Sequence, residues 1–204
     1  MISPGQRVSW SVPNIRSVTI FLVAAFLIAT GLPAQQKPIA RSITFLTKVY
    51  RLASFNQKSN PMWEFTSANE TVKNWTTLLT ITDRPDARTR PDLGRLSQGI
   101  LDNYKSHGAQ ILMAKTMVDA SKAPYDYTVA AFEDPADHRF ELNLVKAALG
   151  PKNAYMAIYG VRITDPKDYV SKAKTYLTQH SDEVGRELEK AALPAIGPLP
   201  RKEF

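Results

Sequence analysis

The sequence predicts an α+β domain with a single antiparallel sheet of five to seven strands and helices packed on one face of it. The strongest observation is the stretch 125–163, where turn signals at 134–137 and 150–153 separate three strand-like runs. The run 139–144 alternates polar and apolar residues, which is typical of a strand with one buried face. The run 154–163 is apolar on both sides over most of its length, which is typical of a central strand. Together they predict a C-terminal meander that the rest of the chain extends or covers.

Before the meander, the predicted elements are two strands, a short helix and a third strand. The strands are expected at 39–55, 61–66 and 78–82, because β-branched and apolar residues recur there. Ser67 and Glu70 have the spacing of a capping box, in which each side chain accepts a hydrogen bond from a backbone N–H. A short helix is therefore expected directly after Ser67. Its buried side is expected to hold Val72, Trp75 and Leu78.

A longer helix is predicted between the charged loop 83–91 and a strand at 110–117. Pro91 suits the first turn of a helix, because the missing N–H would have no partner there. Gly108 suits the position just after the end of a helix, so the helix is expected to run to about His107.

The end of the domain is predicted to be a second long helix that begins at the signal Thr164-Asp165-Pro166. Apolar residues keep a helical spacing through it as far as Ala191. Ser181-Asp182 and Gly185 predict a kink or a restart near its middle. Residues 194–204 contain three prolines and are expected to form an extended tail.

The N-terminal segment has the layout of a secretory signal peptide. Residues 1–17 are polar and positively charged, residues 18–32 are apolar, and small residues follow. Cleavage is expected after Gly31, with cleavage after Ala34 as the other option. An uncleaved anchor is the alternative, in which residues 18–32 would make the membrane contact. The expected domains are 1–34 as signal peptide or anchor, 35–193 as a single α+β domain and 194–204 as the tail.

Composition excludes several classes of function. The chain has no cysteine, which excludes a disulfide framework, a thiol nucleophile and cysteine-ligated zinc. Its net charge is +7, without dense lysine and arginine runs interleaved with aromatics, so nucleic-acid binding is not expected. The chain has no P-loop, dinucleotide fingerprint, G-x-S-x-G or H-E-x-x-H motif, and no cofactor is expected.

Five residues are candidates for ligand binding. Trp63 and Trp75 bracket the capping-box signal, and a groove between them would form a ligand platform, although burial in the core is the other explanation for both. Arg84, Arg88 and Arg90 precede or open a helix, where an anion could bind. Aspartates interleaved with these arginines favour salt bridges within the loop instead.

A second hypothesis is that the protein is an enzyme whose catalytic groups include acidic residues. Glu64, Glu133 and Asp137, together with a histidine, are dispersed groups that could perform acid–base chemistry. This hypothesis requires at least two of them to converge in a concave pocket. Glu133, Asp137 and His138 also share one turn, but their spacing matches no metal-binding loop, so no metal site is predicted.

A resemblance covers about twenty residues near the start of the domain. Glu64-Phe65, Glu70 and Trp75 form an E-F-x-x-x-x-E-x-x-x-x-W pattern. This pattern resembles small exported proteins of Gram-negative bacteria that are mostly uncharacterised. The predicted order of elements is similar to that of the PsbP-like α+β sandwich. The resemblance implies a periplasmic or envelope protein, and it supplies no catalytic residues.

The function expected from the sequence is that of an exported, non-enzymatic accessory or binding protein. The domain would lie in the periplasm, either soluble or held at the inner membrane by its anchor. Its partner would be an envelope protein or a small ligand. The alternative is a small hydrolase-like enzyme that uses the dispersed carboxylates and a histidine.

Overall fold

Eight strands and two helices make up the part of the chain that the computed structural model describes, which is residues 41–67, 69–134, 138–163 and 167–193. The elements are β1 (Ser42–Phe45), β2 (Lys48–Asn56), β3 (Met62–Ser67), β4 (Thr77–Arg84), α1 (Arg90–Ser106), β5 (Gln110–Val118), β6 (Pro124–Asp134), β7 (Arg139–Leu149), β8 (Ala154–Ile163) and α2 (Tyr169–Lys190). The strands form one antiparallel sheet in the order β1-β2-β3-β4-β8-β7-β6-β5. The predicted α+β class with a single antiparallel sheet is therefore confirmed, and its eight strands exceed the predicted five to seven.

The sheet consists of two four-stranded meanders, β1–β4 and β5–β8, joined side by side. The join is the antiparallel pairing of β4 with β8, which runs from Thr77 opposite Val161 to Arg84 opposite Ala154. Helix α1 connects the two meanders in the chain. The predicted C-terminal meander and the central position of its last strand are both confirmed, because β8 lies between β4 and β7.

The first predicted strand, 39–55, is a hairpin in the described residues. Its turn lies at Leu46 and Thr47, which have φ angles of +51° and +62°. Two successive left-handed residues form the tight turn whose twist matches a β-hairpin. Glycine and asparagine usually occupy such positions, so the residue types gave no signal for the turn.

The two helices pack on opposite faces of the sheet, so the prediction that helices cover one face is wrong. Leu142 and Leu144 of β7 lie in one core cluster with Val184 of α2. Ala147, of the other parity on the same strand, lies in a second cluster with Leu93 of α1. Because side chains alternate between the faces of a strand, the two clusters lie on opposite sides. Strands β6 to β8 are apolar on both faces, and each face needs a cover.

The β1–β4 half of the sheet curls over the face that α2 covers. Neighbouring strands lie about 4.8 Å apart, so β1 and β8 would be about 19 Å apart in a flat sheet. Yet the ring centre of Phe45 on β1 lies 5.0 Å from that of Tyr159 on β8. The hydroxyl groups of Tyr50 on β2 and Thr77 on β4 also share a hydrogen bond of 2.9 Å. The curled half therefore closes one core against α2.

The predicted short helix after Ser67 is wrong, because residues 69–76 form turns with an isolated bridge between Thr71 and Asn74. The carboxylate of Glu70 accepts hydrogen bonds from Thr76, which follows it in the chain. Its Oε1 accepts hydrogen bonds from the backbone N–H of Thr76 at 3.0 Å and from the Thr76 hydroxyl at 2.6 Å. Burial raises the pKa of Glu70, but hydrogen bonds from Ser67 and Thr76 outweigh it and lower the pKa overall.

Helix α1 has the predicted position and the predicted stop, and its N-terminal cap was not predicted. Thr89 is its N-cap, and Asp92 completes a capping box by accepting from the backbone N–H of Thr89 at 2.9 Å. The helix ends at Ser106, and Gly108 follows with a φ of +74°.

Helix α2 runs without interruption, so the predicted restart near Ser181-Asp182 is wrong. Asp168 is its N-cap and accepts from the backbone N–H of Ser171. The predicted start at 164–166, the predicted signal peptide or anchor and the predicted tail lie outside the described residues. In the described ranges, neither α1 nor α2 combines the length and apolar character that a membrane-crossing helix needs.

Candidate functional site

A cleft with polar and apolar walls lies where β7 begins and β8 ends. It has a volume of about 350 Å³, and we call it the Trp75 cleft. Its lining residues come from the 69–76 segment and from the ends of both strands, and they are Asn74, Trp75, Thr76, His138, Arg139, Phe140, Arg162 and Ile163. The cleft therefore combines cationic, aromatic and aliphatic side chains.

Trp75 forms the floor of the cleft. Its indole lies over Gly160, where a Cβ atom would come within 3.2 Å of Cη2 of the ring and 3.0 Å of Oδ1 of Asn143. Glycine at this position of β8 allows the ring to come close to the strand. Trp75 is 3% exposed, and within the described part of the chain its Nε1 has no hydrogen-bond acceptor.

Arg162 packs on this indole. Its Cζ atom lies 4.3 Å from the ring centre of Trp75, which is cation–π geometry. Its Nη1 donates to the backbone carbonyls of Lys73 and Trp75, each at 3.3 Å. The guanidinium is thus held between the tryptophan ring and the turn that carries it.

Glu141 lies behind Arg162, on the buried side of the cleft. Its Oε1 is 4.0 Å from Nε of Arg162, and Glu141 is 1% exposed. The two residues face each other across β7 and β8. Deeper on the same face of β7, Nδ2 of Asn143 donates to the hydroxyl of Tyr104 on α1 at 3.2 Å. A polar layer therefore connects the cleft with α1.

Arg139 brings a second guanidinium to the cleft. Its Nη1 donates to the carbonyl oxygen of Lys73 at 3.4 Å, the same oxygen that accepts from Arg162 at 3.3 Å. The two Nη1 atoms are therefore at most about 6.7 Å apart. Arg139 is exposed, whereas the side chain of Arg162 is largely buried.

The mouth of the cleft holds a histidine and two apolar side chains. Nδ1 of His138 lies 2.8 Å from Oε1 of Glu133, and their side chains are 81% and 47% exposed. Phe140 packs on Tyr169 of α2 with ring centres 4.4 Å apart. Ile163, at the end of β8, pairs with Phe140 on the α2 face of the sheet, whereas Trp75 and Arg162 lie on the α1 face, so the cleft wraps around the end of the two strands.

The structure does not bring Trp63 and Trp75 together. Trp63 is completely buried on the α2 side, where its ring stacks on Phe55 at 5.3 Å between ring centres. Trp75 lies on the α1 side over Gly160. Of the two tryptophans, Trp75 lines a cleft and Trp63 is a core residue.

The three candidate arginines lie at the opposite end of β4 from Trp75, about 24 Å along the strand. Arg84 forms two hydrogen bonds with Asp86, at 2.9 and 2.7 Å, as the salt-bridge alternative expected. Arg88 donates to the carbonyl of Pro85 at 3.1 Å. Arg90 donates to Asp126 on β6 at 3.1 Å and so attaches the start of α1 to the sheet.

The acidic candidates are separated in the same way. Glu64 is on β3 and Glu133 on β6, with β4, β8 and β7 between them. Asp137 lies outside the described residues. Among the residues that the structure describes, no group of three histidine, cysteine, aspartate or glutamate side chains is placed to hold a metal ion.

A second, smaller cavity of about 230 Å³ lies between β1 and the end of α2. Its lining is mostly apolar, with Ile43, Phe45, Leu79 and Ile81 on the sheet side. This apolar lining continues the core between the curled half of the sheet and α2. The Trp75 cleft is lined by two arginines and a histidine, so it is the better candidate for a site.

Sequence reasoning missed Arg139, Arg162 and Phe140. One signal for Arg162 was present, because it is the first charged residue in an otherwise apolar strand. Comparison with protein-family models gives no match for the chain, and comparison with curated proteins gives none either.

Proposed function

We propose that the protein is an exported, non-enzymatic binding or accessory protein, and that the Trp75 cleft is where it holds its ligand or partner. The observation that carries the proposal is the buried stack of Trp75, Arg162 and Glu141 at the base of an open cleft. A buried ion pair contributes little to stability compared with well-packed apolar residues. Its presence beneath a cleft is therefore better explained by recognition than by folding.

The sequence supports a place of action outside the cytoplasm. The leader pattern at 1–34 supports export to the periplasm, soluble or anchored through residues 18–32. The E-F-x-x-x-x-E-x-x-x-x-W resemblance supports the same assignment. Candidate partners are an envelope protein or a small ligand. The mild net charge gives no support to nucleic-acid binding.

The contact between Glu133 and His138 is the one observation that favours the hydrolase-like alternative. A carboxylate that orients a histidine is a common arrangement in acid–base catalysis. However, both side chains are largely exposed, and an active site usually excludes water from such a pair. If this alternative were correct, His138→Gln would abolish a hydrolytic activity in the purified protein while its thermal stability stayed unchanged.

Native and denaturing mass spectrometry of the full-length chain, expressed in its own host and purified gently from the envelope fraction, tests the proposal. The loss of about 30 N-terminal residues would establish cleavage of the leader. A reproducible extra mass in the native spectrum would identify bound cargo. A full-length, cargo-free chain found only with membranes would indicate an anchored accessory protein instead.

A matched pair of variants places the cargo. Phe140→Ser changes the cleft wall at the start of β7, and Leu149→Ser changes a half-exposed apolar residue at the other end of that strand. We expect Phe140→Ser to lose the extra mass and Leu149→Ser to keep it. An extra mass that both variants keep would contradict the assignment of the cleft.

A further inference from the structure

We infer that two copies of the protein associate through the outer edge of β5, by antiparallel pairing of that strand with the same strand of a second copy. The inference goes beyond the proposed function and does not depend on it, since β5 contributes no residue to the Trp75 cleft. It adds an interaction surface and the partner that fits it.

β5 is an edge strand of the sheet, and among the described residues no strand pairs with its outer side. It is nine residues long, whereas β1 at the other edge has four. None of the nine residues is buried, so neither helix covers this edge. An open edge of this length presents a row of backbone N–H and C=O groups with which another strand can pair.

The β5–β6 hairpin shows which backbone groups of β5 point outward. The N–H of Asp119 donates to the carbonyl of Ala123 at 3.0 Å, so these two residues form a hydrogen-bonded pair. Hydrogen-bonded and non-hydrogen-bonded pairs alternate along an antiparallel ladder. The next pair, Val118 with Pro124, is therefore not hydrogen-bonded, which suits a proline without an N–H. The register is regular back to position 114, so positions 114, 116 and 118 direct their N–H and C=O groups away from β6.

The side chains of β5 are more apolar than an exposed edge usually is. Val118 is 63% exposed and Met113 is 37% exposed, and they are two of the four exposed large apolar side chains in the described ranges. Lys115 is the only charged residue of the strand. Charged side chains are a common protection of edge strands, and this edge has one.

A two-fold axis at Thr116 gives the register that the strand supports best. It pairs Thr116 with its own copy and Ala114 with Val118 of the second copy, so the three outward-facing positions form about six backbone hydrogen bonds. This ladder stays clear of the bulge between Ile111 and Met113. An axis one residue earlier would place two lysines directly opposite each other, which is unfavourable.

The same register is complementary in charge. Lys115 lies opposite Met117 of the second copy, and the diagonal neighbour on the same face is Asp119 of that copy. Diagonal neighbours are about 7–8 Å apart, which a lysine side chain spans. Hydrogen bonds from the Ser121 hydroxyl and the backbone N–H of Ala123 lower the pKa of Asp119, so this carboxylate is ionised at neutral pH. Symmetry provides the contact twice.

The size of the interface sets the strength of the expected dimer. One pair of strands buries less than the roughly 1,200–2,000 Å² of a standard stable interface. We therefore expect a reversible dimer with a dissociation constant in the micromolar range.

Sedimentation velocity of the full chain in mild detergent, from about 1 to 300 μM, tests the inference. We expect the monomer at the low end and the dimer at the high end. Ala114→Pro removes an outward N–H that does not bond to β6, and proline is tolerated at such edge positions. It should raise the dissociation constant about tenfold or more and leave thermal unfolding almost unchanged. Ala114→Ser keeps the N–H and should dimerise like the wild type.

Single cysteines test the register, because the chain has no cysteine of its own. Thr116→Cys should give a disulfide-linked dimer on mild oxidation, since hydrogen-bonded pairs have Cα atoms about 5.5 Å apart and disulfides span about 4.4–6.8 Å. Ala114→Cys alone should not, but a mixture of Ala114→Cys and Val118→Cys should. Val49→Cys, exposed on β2, measures random collisions.

The outcomes decide for or against the β5 edge. A chain that is monomeric at every concentration would overturn the inference. So would a dimer that Ala114→Pro leaves unchanged, because it would form through another surface. If Ala114→Pro fails to fold, the disulfides decide, and equal yields at positions 116 and 49 would overturn the pairing. The Trp75 cleft is tested separately by the native mass of the protein from its host.

Discussion

The ammonium group of Lys146 on β7 donates a hydrogen bond of 3.2 Å to the backbone carbonyl of Ala191, the residue that caps α2. The same group donates to the carbonyl of Glu189 at 2.6 Å. It lies 5.5 Å from the ring centre of Tyr125 and 5.3 Å from that of Tyr155. A cation at the C-terminal end of a helix also interacts favourably with the negative end of the helix dipole. Lys146 therefore fixes the end of α2 on the sheet.

Because of Lys146, the free energy of unfolding should increase with pH in the range just below 10.5, the ordinary pKa of lysine. Burial lowers the pKa of Lys146 below 10.5, and the carboxylates of Asp119 and Glu189 offset only part of that shift. Between the lowered value and 10.5 the unfolded chain binds a proton that the folded chain does not, so folding becomes more favourable as pH rises. The free energy of unfolding, measured with urea, should increase in the wild type relative to Lys146→Met as pH approaches 10.5. A difference that stays constant with pH would contradict this assignment.

The buried tyrosines should make the free energy of unfolding decrease as the pH rises above 10. Burial raises the pKa of five tyrosines above 10.0, to about 12 for Tyr155, and the others are Tyr125, Tyr127, Tyr159 and Tyr176. The unfolded chain releases these protons near pH 10 and the folded chain keeps them, so stability is complete below pH 10 and falls above it. We expect their phenolate absorbance to appear together with unfolding.

Tyr155→Phe is the matched variant for the alkaline effect. It removes the hydrogen bond of 3.0 Å from the phenol to the carbonyl of Ala191, which should lower stability at neutral pH by about 1 kcal/mol. Between pH 10 and 12 the variant should lose stability less steeply than the wild type, because one titrating group is missing. Parallel pH profiles would show that Tyr155 does not contribute.

Gly160 should be intolerant of even a methyl group. Gly160→Ala would push against Trp75 and Asn143, and overpacking of this kind should lower the free energy of unfolding by about 1–3 kcal/mol. Gly99→Ala on α1 is the control, because open space surrounds that position. The control should raise stability by about 0.5–1 kcal/mol through helix propensity. Urea unfolding of both variants tests the pair, and equal effects would contradict the close approach of Trp75.

Arg162 and Glu141 should behave as one unit. Arg162→Met leaves the Glu141 carboxylate buried without its neighbouring guanidinium and should cost about 3–5 kcal/mol of stability. The double variant Arg162→Met with Glu141→Leu should recover much of that loss. A double-mutant cycle measured by chemical unfolding gives the coupling energy, and simple additivity of the two changes would contradict the ion pair.

Thr89 should be the residue that starts α1. Its hydroxyl accepts from the backbone N–H of Asp92, so Thr89→Ala should lower stability by about 1 kcal/mol, and Thr89→Ser should be close to neutral. Thr178→Ala is a control, because that hydroxyl is on the exposed side of α2 and donates back to the carbonyl of Lys174. The helical signal in thermal unfolding measures both, and a loss in the control as large as in Thr89→Ala would contradict the cap.

Much of the fold could be predicted because its signals are local. The alternation in β7, the Gly150-Pro151 turn and the Thr89–Asp92 region each specify structure within a few residues. The hairpin at Leu46 and Thr47 could not be predicted, since its left-handed residues are neither glycine nor asparagine. The Ser67–Glu70 signal was misleading because the Glu70 carboxylate also accepts hydrogen bonds from Thr76, and residues 69–76 form turns instead of a helix.

The site depends on contacts between strands, which local signals do not specify. Trp75 could be identified as a candidate from its type and neighbourhood, but its partner Arg162 is 87 positions away in the chain. One route to it did exist. A four-residue turn at 150–153 places Leu149 opposite Ala154, and counting back along both strands places Glu141 opposite Arg162. An opposite-charge pair within two apolar strands was therefore readable once the register was counted.

The pairing of β4 with β8 also has a consequence for the newly made chain. Thr77 and Val161, which pair at one end of that ladder, are 84 positions apart. At a synthesis rate of about 5–20 residues per second, β4 waits about 4–17 s for its partner strand. During that time a strand with six consecutive buried positions has one hydrogen-bonding edge open to other chains. The nascent protein should therefore depend on a holding chaperone until its last strand is made, and ribosome-bound chains that end before β8 should aggregate more than the complete domain.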